Sequence, residues 1–295
     1  MTEHIIPIIM EQDNNEENNP PSDSEQKISK PMEELSIKQN KPVIQVKTVP
    51  KTNVHAEYLK EFDIFEERGE YSLPNENVPE KIILVIDRAQ DENFTPFVTN
   101  NCTFTPLSML KRAIHVFLKL KHTINKYNEF AIVVLNENNA KWILNFTSDM
   151  RKLRDAINRI TECEVEDTFN LNSLFDELVN NITMPDTIKS EIPPSYIVRT
   201  VIFYGRSYTI PEIELDEKLE NLLENPYFTC DVLMTHEPVD PSNHCNRIFT
   251  ALQNLDKKGL AYFFPVCRDS RRLHNCAGKL LAHPLQRPVQ KLQKI

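Results

Sequence analysis

From Glu80 onward, the chain alternates short apolar runs with segments whose apolar residues recur every three or four positions. The apolar runs predict buried strands of a parallel sheet, and the periodic segments predict helices that cover it. The predicted strands are 81–87, 129–135, 141–146, 197–204, 228–235 and 260–266. The predicted helices are 106–121, 150–160, 171–182, 215–223, 242–258 and 270–282. This order predicts one doubly wound α/β domain over 80–283 with a mainly parallel sheet.

Two local signals refine this prediction. Thr105 is predicted as the N-cap of the first helix, because Pro106 follows it at the first helical position. Only the five residues NENNA separate the strands 129–135 and 141–146. So short a connection predicts a hairpin, and therefore an antiparallel strand at one edge of the sheet.

The part of the chain before the domain has a different composition. Residues 1–57 contain none of the aromatic residues and include the polar run DNNEENNPPSDSE, which predicts a disordered leader. Residues 58–79 form an acidic amphipathic segment. Within 58–70, Tyr58, Phe62 and Phe65 recur at helical spacing, which predicts a short helix that docks on the core or on a partner.

Composition excludes several classes of function. The 295 residues include only 4 glycines, and no glycine-rich loop can form from them. The dinucleotide fingerprint, the phosphate loop, the kinase loop and the Gly-x-Ser-x-Gly elbow all need such glycines. A net charge of -9 argues against a nucleic-acid partner. No membrane segment, secretory signal or Cys-x-x-Cys pair is present, so we expect a soluble intracellular protein with reduced thiols.

Asp87 stands where a doubly wound sheet places its ligands, at the carboxyl end of the first strand. A divalent cation could take oxygens from Asp87, Asp91 and Thr168. Arg88 brings a competing positive charge, however. The favoured interpretation is that Asp87 accepts hydrogen bonds from loop amides at a strand end.

The remaining candidates for chemistry are weak. Six His and Cys residues are of the types that bind zinc, but no two of them have the close spacing of the ligand pairs in structural zinc sites. They are His236, His244, Cys245, His274, Cys276 and His283. Cys276 is better explained as a small apolar residue of the last helix. No nucleophile has a base beside it, and Ser195 lacks a glycine elbow, so neither catalysis nor an α/β hydrolase is predicted.

The end of the chain is strongly basic. Residues 268–295 contain seven Lys or Arg residues and one acid, Asp269. Two prolines predict that Pro284, Leu285, Gln286, Arg287 and Pro288 are extended. An extended peptide with one leucine and one arginine suits a groove on another protein. Residues 284–295 are therefore predicted to be an extended basic tail that binds a partner, with a frayed terminus as the alternative.

Four motifs carry a resemblance to a known family. They are TFNLNSLF at 168–175, IPPSYIVRTVIFY at 192–204, NPYFTCDV at 225–232 and LHNCAGKLLAHPLQRP at 273–288. With them the chain resembles the BRISC and BRCA-one A complex member one family, from about residue 80 to 288. The resemblance implies a von Willebrand A-like domain. It also implies a noncatalytic adaptor role in a deubiquitinase complex whose metalloprotease subunit cuts lysine-sixty-three-linked ubiquitin chains.

In that fold, a metal-ion-dependent adhesion site uses Asp-x-Ser-x-Ser, a later threonine and an aspartate after the fourth strand. Asp87 and Thr168 match this pattern, whereas Ala89 and Asp91 stand in place of the serines. Residues 204–206 supply no aspartate. The resemblance therefore implies a vestigial metal site and no cofactor. The alternative is a metal-dependent von Willebrand A domain that binds an acidic protein side chain.

The resemblance also implies the partners. The family's C-terminal region attaches to a ubiquitin-E2-variant subunit and, through it, to the metalloprotease and its scaffold subunit. This assigns partner binding to 284–288. Membership of the BRISC-type complex is expected, and the nuclear BRCA-one A-type DNA-repair complex stays open. The expected locations are the cytoplasm and the nucleus.

Overall fold

The computed structural model describes residues 64–66, 76–186 and 193–291, and a six-stranded sheet lies at the centre of this part of the chain. The described strands are β1 (Phe65–Glu66), β2 (Glu80–Asp87), β3 (Phe97–Thr99), β4 (Cys102–Phe104), β5 (Glu129–Leu135), β6 (Ala140–Thr147), β7 (Phe169–Asn170), β8 (Ile197–Tyr204), β9 (Pro211–Glu212), β10 (Phe228–His236), β11 (Phe263–Cys267) and β12 (Val289–Gln290). The predicted leader, 1–57, lies outside the described residues.

The central sheet has the strand order β11-β10-β8-β2-β5-β6. All its neighbouring strands are parallel except β6, which pairs antiparallel with β5. The predicted α/β class and the antiparallel edge hairpin are thus confirmed. The chain builds outward from β2 through β5 to β6 and then returns to the other side of β2 with β8. The switch point of the sheet therefore lies between β2 and β8.

Helices cover both faces of this sheet. They are α1 (Pro106–Ile124), α2 (Met150–Arg159), α3 (Asn172–Asn181), α4 (Glu217–Glu224), α5 (Cys245–Gln253) and α6 (Ser270–Lys279). The predicted cap of the first helix is confirmed, because the Thr105 side chain accepts a hydrogen bond from the Ser108 N–H at 3.2 Å. None of the described helices is long and apolar enough to cross a membrane.

The sheet separates two hydrophobic cores. Along β2, Ile82 and Leu84 point to one face and Ile83 and Val85 to the other, since side chains alternate along a strand. The first face packs against α1, α2 and α6, and the second against α3, α4 and α5. Burial on both faces explains why the middle of β2 and of β5 is continuously apolar in sequence.

The helix predicted for 58–70 is wrong where the structure describes it. Phe65 lies in β1, which pairs antiparallel with β12 through Phe65 opposite Gln290. The Phe65 ring packs 5.2 Å from the Tyr262 ring, centroid to centroid. This packing outweighs the helical spacing of the aromatics. Tyr58 and Phe62 lie outside the described residues.

Two predicted elements near the end of the domain are shorter than expected. The helix predicted for 242–258 covers only Cys245–Gln253. It ends early because the Asp256 carboxylate accepts hydrogen bonds from three loop N–H groups that follow it. The strand predicted for 260–266 begins at Phe263. The N–H of Tyr262 donates instead to the Asp231 carboxylate at 2.7 Å.

Candidate functional site

Asp87 lies at the carboxyl end of β2, beside the switch point where doubly wound sheets bind ligands. Its carboxylate is 2% exposed and receives hydrogen bonds from the protein itself. The N–H of Ala89 donates to Oδ1 at 3.1 Å, and the N–H of Gly205 donates to Oδ2 at 3.0 Å. Asp87 thus accepts loop amides, as the sequence predicted.

Arg206 supplies a cation to Asp87 from within the chain. Its Nε donates to both carboxylate oxygens of Asp87 at 3.3 Å. The guanidinium is fully buried and stacks 3.8 Å from the centre of the Phe169 ring. Its two terminal nitrogens donate to the carbonyls of Asn136 and Glu137 in the β5–β6 turn. Arg206 therefore contacts three segments at the switch point: the end of β2, the β5–β6 turn and β7.

The role of Arg206 was not predicted from the sequence. The sequence showed only that no aspartate follows β8, because residues 204–206 read Tyr-Gly-Arg. The available signal was a charged residue directly after a buried strand. An arginine at such a place is buried only if it is paired, so it could have been predicted to pair with a carboxylate at the same edge of the sheet.

Asp91 and Thr168, the other predicted oxygen donors, do not complete a cation site. Asp91 accepts a hydrogen bond from the Ser207 N–H at 3.2 Å, and burial raises its pKa to about 6, helped by the neighbouring Asp87. Thr168 is exposed. A divalent cation needs several free oxygen ligands, but the oxygens of Asp87 already serve Arg206 and two amides. The residues present therefore do not fit a metal ion.

The structure does not bring the six zinc candidates together. His236 Nδ1 lies 2.7 Å from the Glu237 carbonyl, and His274 Nδ1 lies 2.7 Å from the Ser270 carbonyl. His283 belongs to the C-terminal segment described below. Within residues 64–66, 76–186 and 193–291, no group of three or more His, Cys, Asp or Glu side chains could hold a metal ion.

Cys163 and Cys245 carry little nucleophilic character. None of the six forms a disulfide with another. Burial raises the pKa of Cys163 and of Cys245 to about 11. A cysteine attacks as its thiolate, which is scarce at neutral pH when the pKa is this high.

The C-terminal segment, residues 284–291, corrects the prediction of an extended tail. Residues 284–286 form a turn, and β12 follows at Val289. Leu285 is 2% exposed and packs against Ile197 and Tyr227, so its side chain is not available to a partner's groove. Gln286 and Pro288 are exposed. The segment folds onto its own domain because its apolar and charged side chains have partners there.

Arg287 anchors this segment through a buried ion pair. Its two terminal nitrogens donate to the Asp231 carboxylate at 2.8 and 2.5 Å, in the bidentate geometry that favours arginine. One of them also donates to the Leu260 carbonyl at 2.8 Å, and the guanidinium lies 3.8 Å from the centre of the Tyr262 ring. Arg287 is a structural residue of the domain.

Asp231 connects the segment to a larger buried network. It also accepts a hydrogen bond from Arg199 Nε at 2.7 Å, and Arg199 in turn pairs with Glu80 at 3.2 Å. Glu80 pairs further with Lys121 of α1. Burial alone would raise the pKa of Asp231, but Arg287 and Arg199 outweigh it and lower the pKa. The carboxylate therefore stays ionised inside the protein.

The imidazole of His283 and the amide of Gln290 complete the attachment of the C-terminal segment to the domain. Burial lowers the pKa of His283 to about 4. The neutral ring suits its place, because Nε2 lies 3.0 Å from the Val78 carbonyl while Nδ1 accepts the Leu285 N–H at 3.1 Å. The Gln290 amide bonds both backbone groups of Phe263, with its oxygen 2.7 Å from the N–H and its nitrogen 3.0 Å from the carbonyl.

Comparisons with known proteins identify relatives by sequence. No model of a known protein family matches the chain. "BRISC and BRCA1-A complex member 1" of Xenopus laevis is 35% identical over 222 residues, which are 74% of this chain and 67% of that protein. The human protein of that name is 35% identical over 224 residues, 74% of this chain and 68% of that protein. For the Danio rerio protein the identity is 34%, over 74% of this chain and 60% of that protein.

Comparison with solved structures identifies similar chains of low sequence identity. The von Willebrand A domain of SpRpn10 is 13% identical, with a TM-score of 0.44, over 71% of this chain and 98% of that one. BatB from Bacteroides thetaiotaomicron is 12% identical, with a TM-score of 0.45, over 68% of this chain and 97% of that one. The sequence relatives decide the assignment: the chain belongs to the BRISC and BRCA1-A complex member 1 family.

Proposed function

We propose that the chain is a noncatalytic subunit of a deubiquitinase complex of the BRISC type. Its relatives are named as members of the BRISC and BRCA1-A complexes, which supports the role of a complex subunit. In this proposal a metalloprotease subunit cleaves lysine-sixty-three-linked ubiquitin chains, and the present chain stabilises and positions the assembly. The proposal places the protein in the cytoplasm and the nucleus, which imaging of the tagged full chain tests.

The geometry at the switch point supports a role without catalysis. Asp87, the carboxylate at the carboxyl end of β2, already bonds Arg206, Gly205 and Ala89. The competing assignment from the sequence, a metal-dependent ligand-binding domain, requires this carboxylate to be free. Calorimetry of the full chain with magnesium and manganese separates the two. We expect no binding tighter than millimolar; tighter binding that Asp87→Ala abolishes would establish the competing assignment.

The observation that carries the proposal is the folded C-terminal segment. Buried Leu285 and Arg287 hold exposed Gln286 and Pro288 in one fixed conformation. A preorganised surface loses less entropy on binding than an extended tail does. We propose that the ubiquitin-E2-variant subunit of the complex contacts this surface and links the chain to the metalloprotease and the scaffold subunit.

The experiment must alter the exposed residues and leave the buried ones in place. Truncation after His283 would remove Arg287 and uncover the Asp231 network, so it would confuse folding with binding. The double variant Gln286→Arg, Pro288→Ala avoids this. Asn221→Arg, an exposed position on α4, is the matched control.

The measurement is the dissociation constant for the purified ubiquitin-E2-variant subunit, together with its recovery after co-expression. We expect the double variant to bind at least about tenfold more weakly, which is the effect of losing about 1.4 kcal/mol. The control should bind like the unaltered chain. Equal affinities for all three chains would remove the C-terminal segment from the interface.

A further inference from the structure

The longest helix in the described part of the chain, α1, exposes a ridge of apolar side chains. Val116, Leu120 and Ile124 follow one another at intervals of four residues and are 49%, 43% and 52% exposed. Tyr127, just after the helix, is 68% exposed. Residues four apart lie on the same side of a helix, so the three aliphatic side chains form one row about 12 Å long.

The fold does not require this ridge to be apolar. The core-facing side of α1 consists of other residues, including Leu110, Ile114 and Phe117, which are all buried. Neighbouring helices hold α1 from both sides. Lys111 of α1 donates to the Asn158 carbonyl in α2 at 3.3 Å, and Lys121 donates to the Leu281 carbonyl just after α6 at 2.9 Å. A contiguous row of exposed apolar side chains that the core does not need is typical of an interaction site.

The helices on the ridge's side of the sheet carry mostly positive charge. The three helices on this face, α1, α2 and α6, carry eleven Lys or Arg residues and one acid, Asp155. The helices on the opposite face, α3, α4 and α5, carry two basic residues and five acids. The helices that pack on this side of the sheet are therefore basic in a chain whose net charge is -9.

We infer that this ridge is a docking site for an acidic amphipathic helix of a partner protein. A row of side chains four apart fits the groove between the rows of another helix. Arg112 and Lys119 of α1 and Lys126 just after it are exposed, and they would face the acidic flanks of the partner helix. Tyr127 adds an exposed aromatic side chain of a type that is enriched among the residues that dominate binding energy at interfaces.

A helical partner fits better than a lipid surface. Helices that lie on membranes insert a wide apolar face, but the wide apolar face of α1 already packs in the core. The apolar side chains that α1 exposes form only a narrow ridge. The inference goes beyond the proposed function, since it concerns a second surface and does not depend on the C-terminal segment.

The test measures binding of a synthetic helical peptide to the full chain by fluorescence anisotropy. The peptide has about 20 residues, with leucines on one helical stripe and glutamates on both sides of it. A second peptide carries lysine in place of every glutamate, and a third has the first composition in scrambled order. The protein variants are Leu120→Asp and Lys119→Glu. The matched control is Val179→Asp, at an exposed apolar position of α3.

We expect only the acidic helical peptide to bind. Leu120→Asp and Lys119→Glu should each weaken this binding at least about tenfold, and Val179→Asp should leave it unchanged. Raising the salt from about 50 to about 500 mM should also weaken it, because salt screens exposed charges. Equal binding of the lysine peptide, no binding at all, or insensitivity to Leu120→Asp would overturn the inference.

Three further measurements cover other occupants of the ridge. Binding of the unaltered chain to anionic vesicles or to duplex DNA that Leu120→Asp abolishes would overturn the protein-helix assignment. Self-association in sedimentation that Leu120→Asp abolishes would assign the ridge to a second copy and overturn it as well. Failure of the peptide experiment leaves the Gln286 and Pro288 test unaffected, so the two proposals can fail separately.

Discussion

Replacing Arg287 with alanine tests whether the C-terminal segment holds the domain together. The substitution removes a bidentate pair with Asp231, a hydrogen bond to the Leu260 carbonyl and a stacking contact with Tyr262. Removing one partner of a buried ion pair costs about 3–5 kcal/mol. Asp231 keeps Arg199 and the Tyr262 N–H, which places the cost near the lower end, at about 3 kcal/mol.

A loss of this size is large compared with the total stability of a domain, about 5–15 kcal/mol. For a domain of about 200 residues it lowers the melting temperature by about 6–12 °C. Urea unfolding, followed by circular dichroism and by the fluorescence of the single tryptophan, Trp142, measures the free energy directly. Arg287→Lys keeps the charge but loses the bidentate geometry, so we expect an intermediate loss.

Gln286→Ala is the matched control, because it alters the adjacent exposed residue. We expect its effect to stay within about 0.5 kcal/mol. The reasoning would be refuted if Arg287→Ala also cost less than about 1 kcal/mol. That result would mean that the segment leaves the domain at little cost, and the extended-tail interpretation would return.

Three other predictions concern pH and a helix cap. Asp91 prefers its protonated form in the folded state, since its pKa is raised to about 6, so its contribution to stability falls as the pH rises from about 4 to 6. Asp91→Asn should therefore raise the free energy of unfolding by about 1 kcal/mol at pH 7.5 and leave it unchanged at pH 4. His283, with its pKa lowered to about 4, stabilises the fold fully above about pH 6.5 and loses this contribution as the pH falls towards 4. In urea titrations at several pH values, His283→Gln should flatten that dependence, and an unchanged slope would contradict the buried neutral ring. Thr105→Ala should cost about 1 kcal/mol in the same assay while Thr105→Ser costs little, because both hydroxyls cap α1.

The sequence predicted the elements whose signals are local. Residues 82–86 are apolar throughout because both faces of β2 are covered, and Thr105 with Pro106 marks the start of α1. The hairpin of β5 and β6 depended on a connection of a few residues. Each signal lies within a short window of sequence, where hydrophobic period and turn chemistry act directly.

These local signals could not predict contacts between residues that are distant in the sequence. Arg287 lies 56 residues from Asp231, and Phe65 lies 225 residues from Gln290. The prolines at 284 and 288 suggested an extended backbone, but the choice between an extended tail and a folded turn depended on a carboxylate elsewhere in the sheet. The pattern of one segment does not contain this information.

The candidate site was predicted in part. The position of Asp87 at the switch point followed from the strand pattern, and its bonds to loop amides were expected. The guanidinium of Arg206 beside it was not expected, because the sequence shows which residue is missing from a motif but not which side chain occupies the space.

One local signal was overlooked. Asn100 and Asn101, both with positive φ, form the turn between β3 and β4.

The bonds between Gln290 and Phe263 have a consequence for aggregation. β11 is an outer strand of the sheet, and such a strand can recruit another chain through its unpaired backbone groups. Gln290 occupies both groups of Phe263. Two residues further along, Pro265 has no N–H to offer, and its carbonyl accepts Arg272 Nε at 3.4 Å. These contacts leave fewer free backbone groups on this border of the sheet for cross-β growth, and Gln290→Ala would free both groups of Phe263.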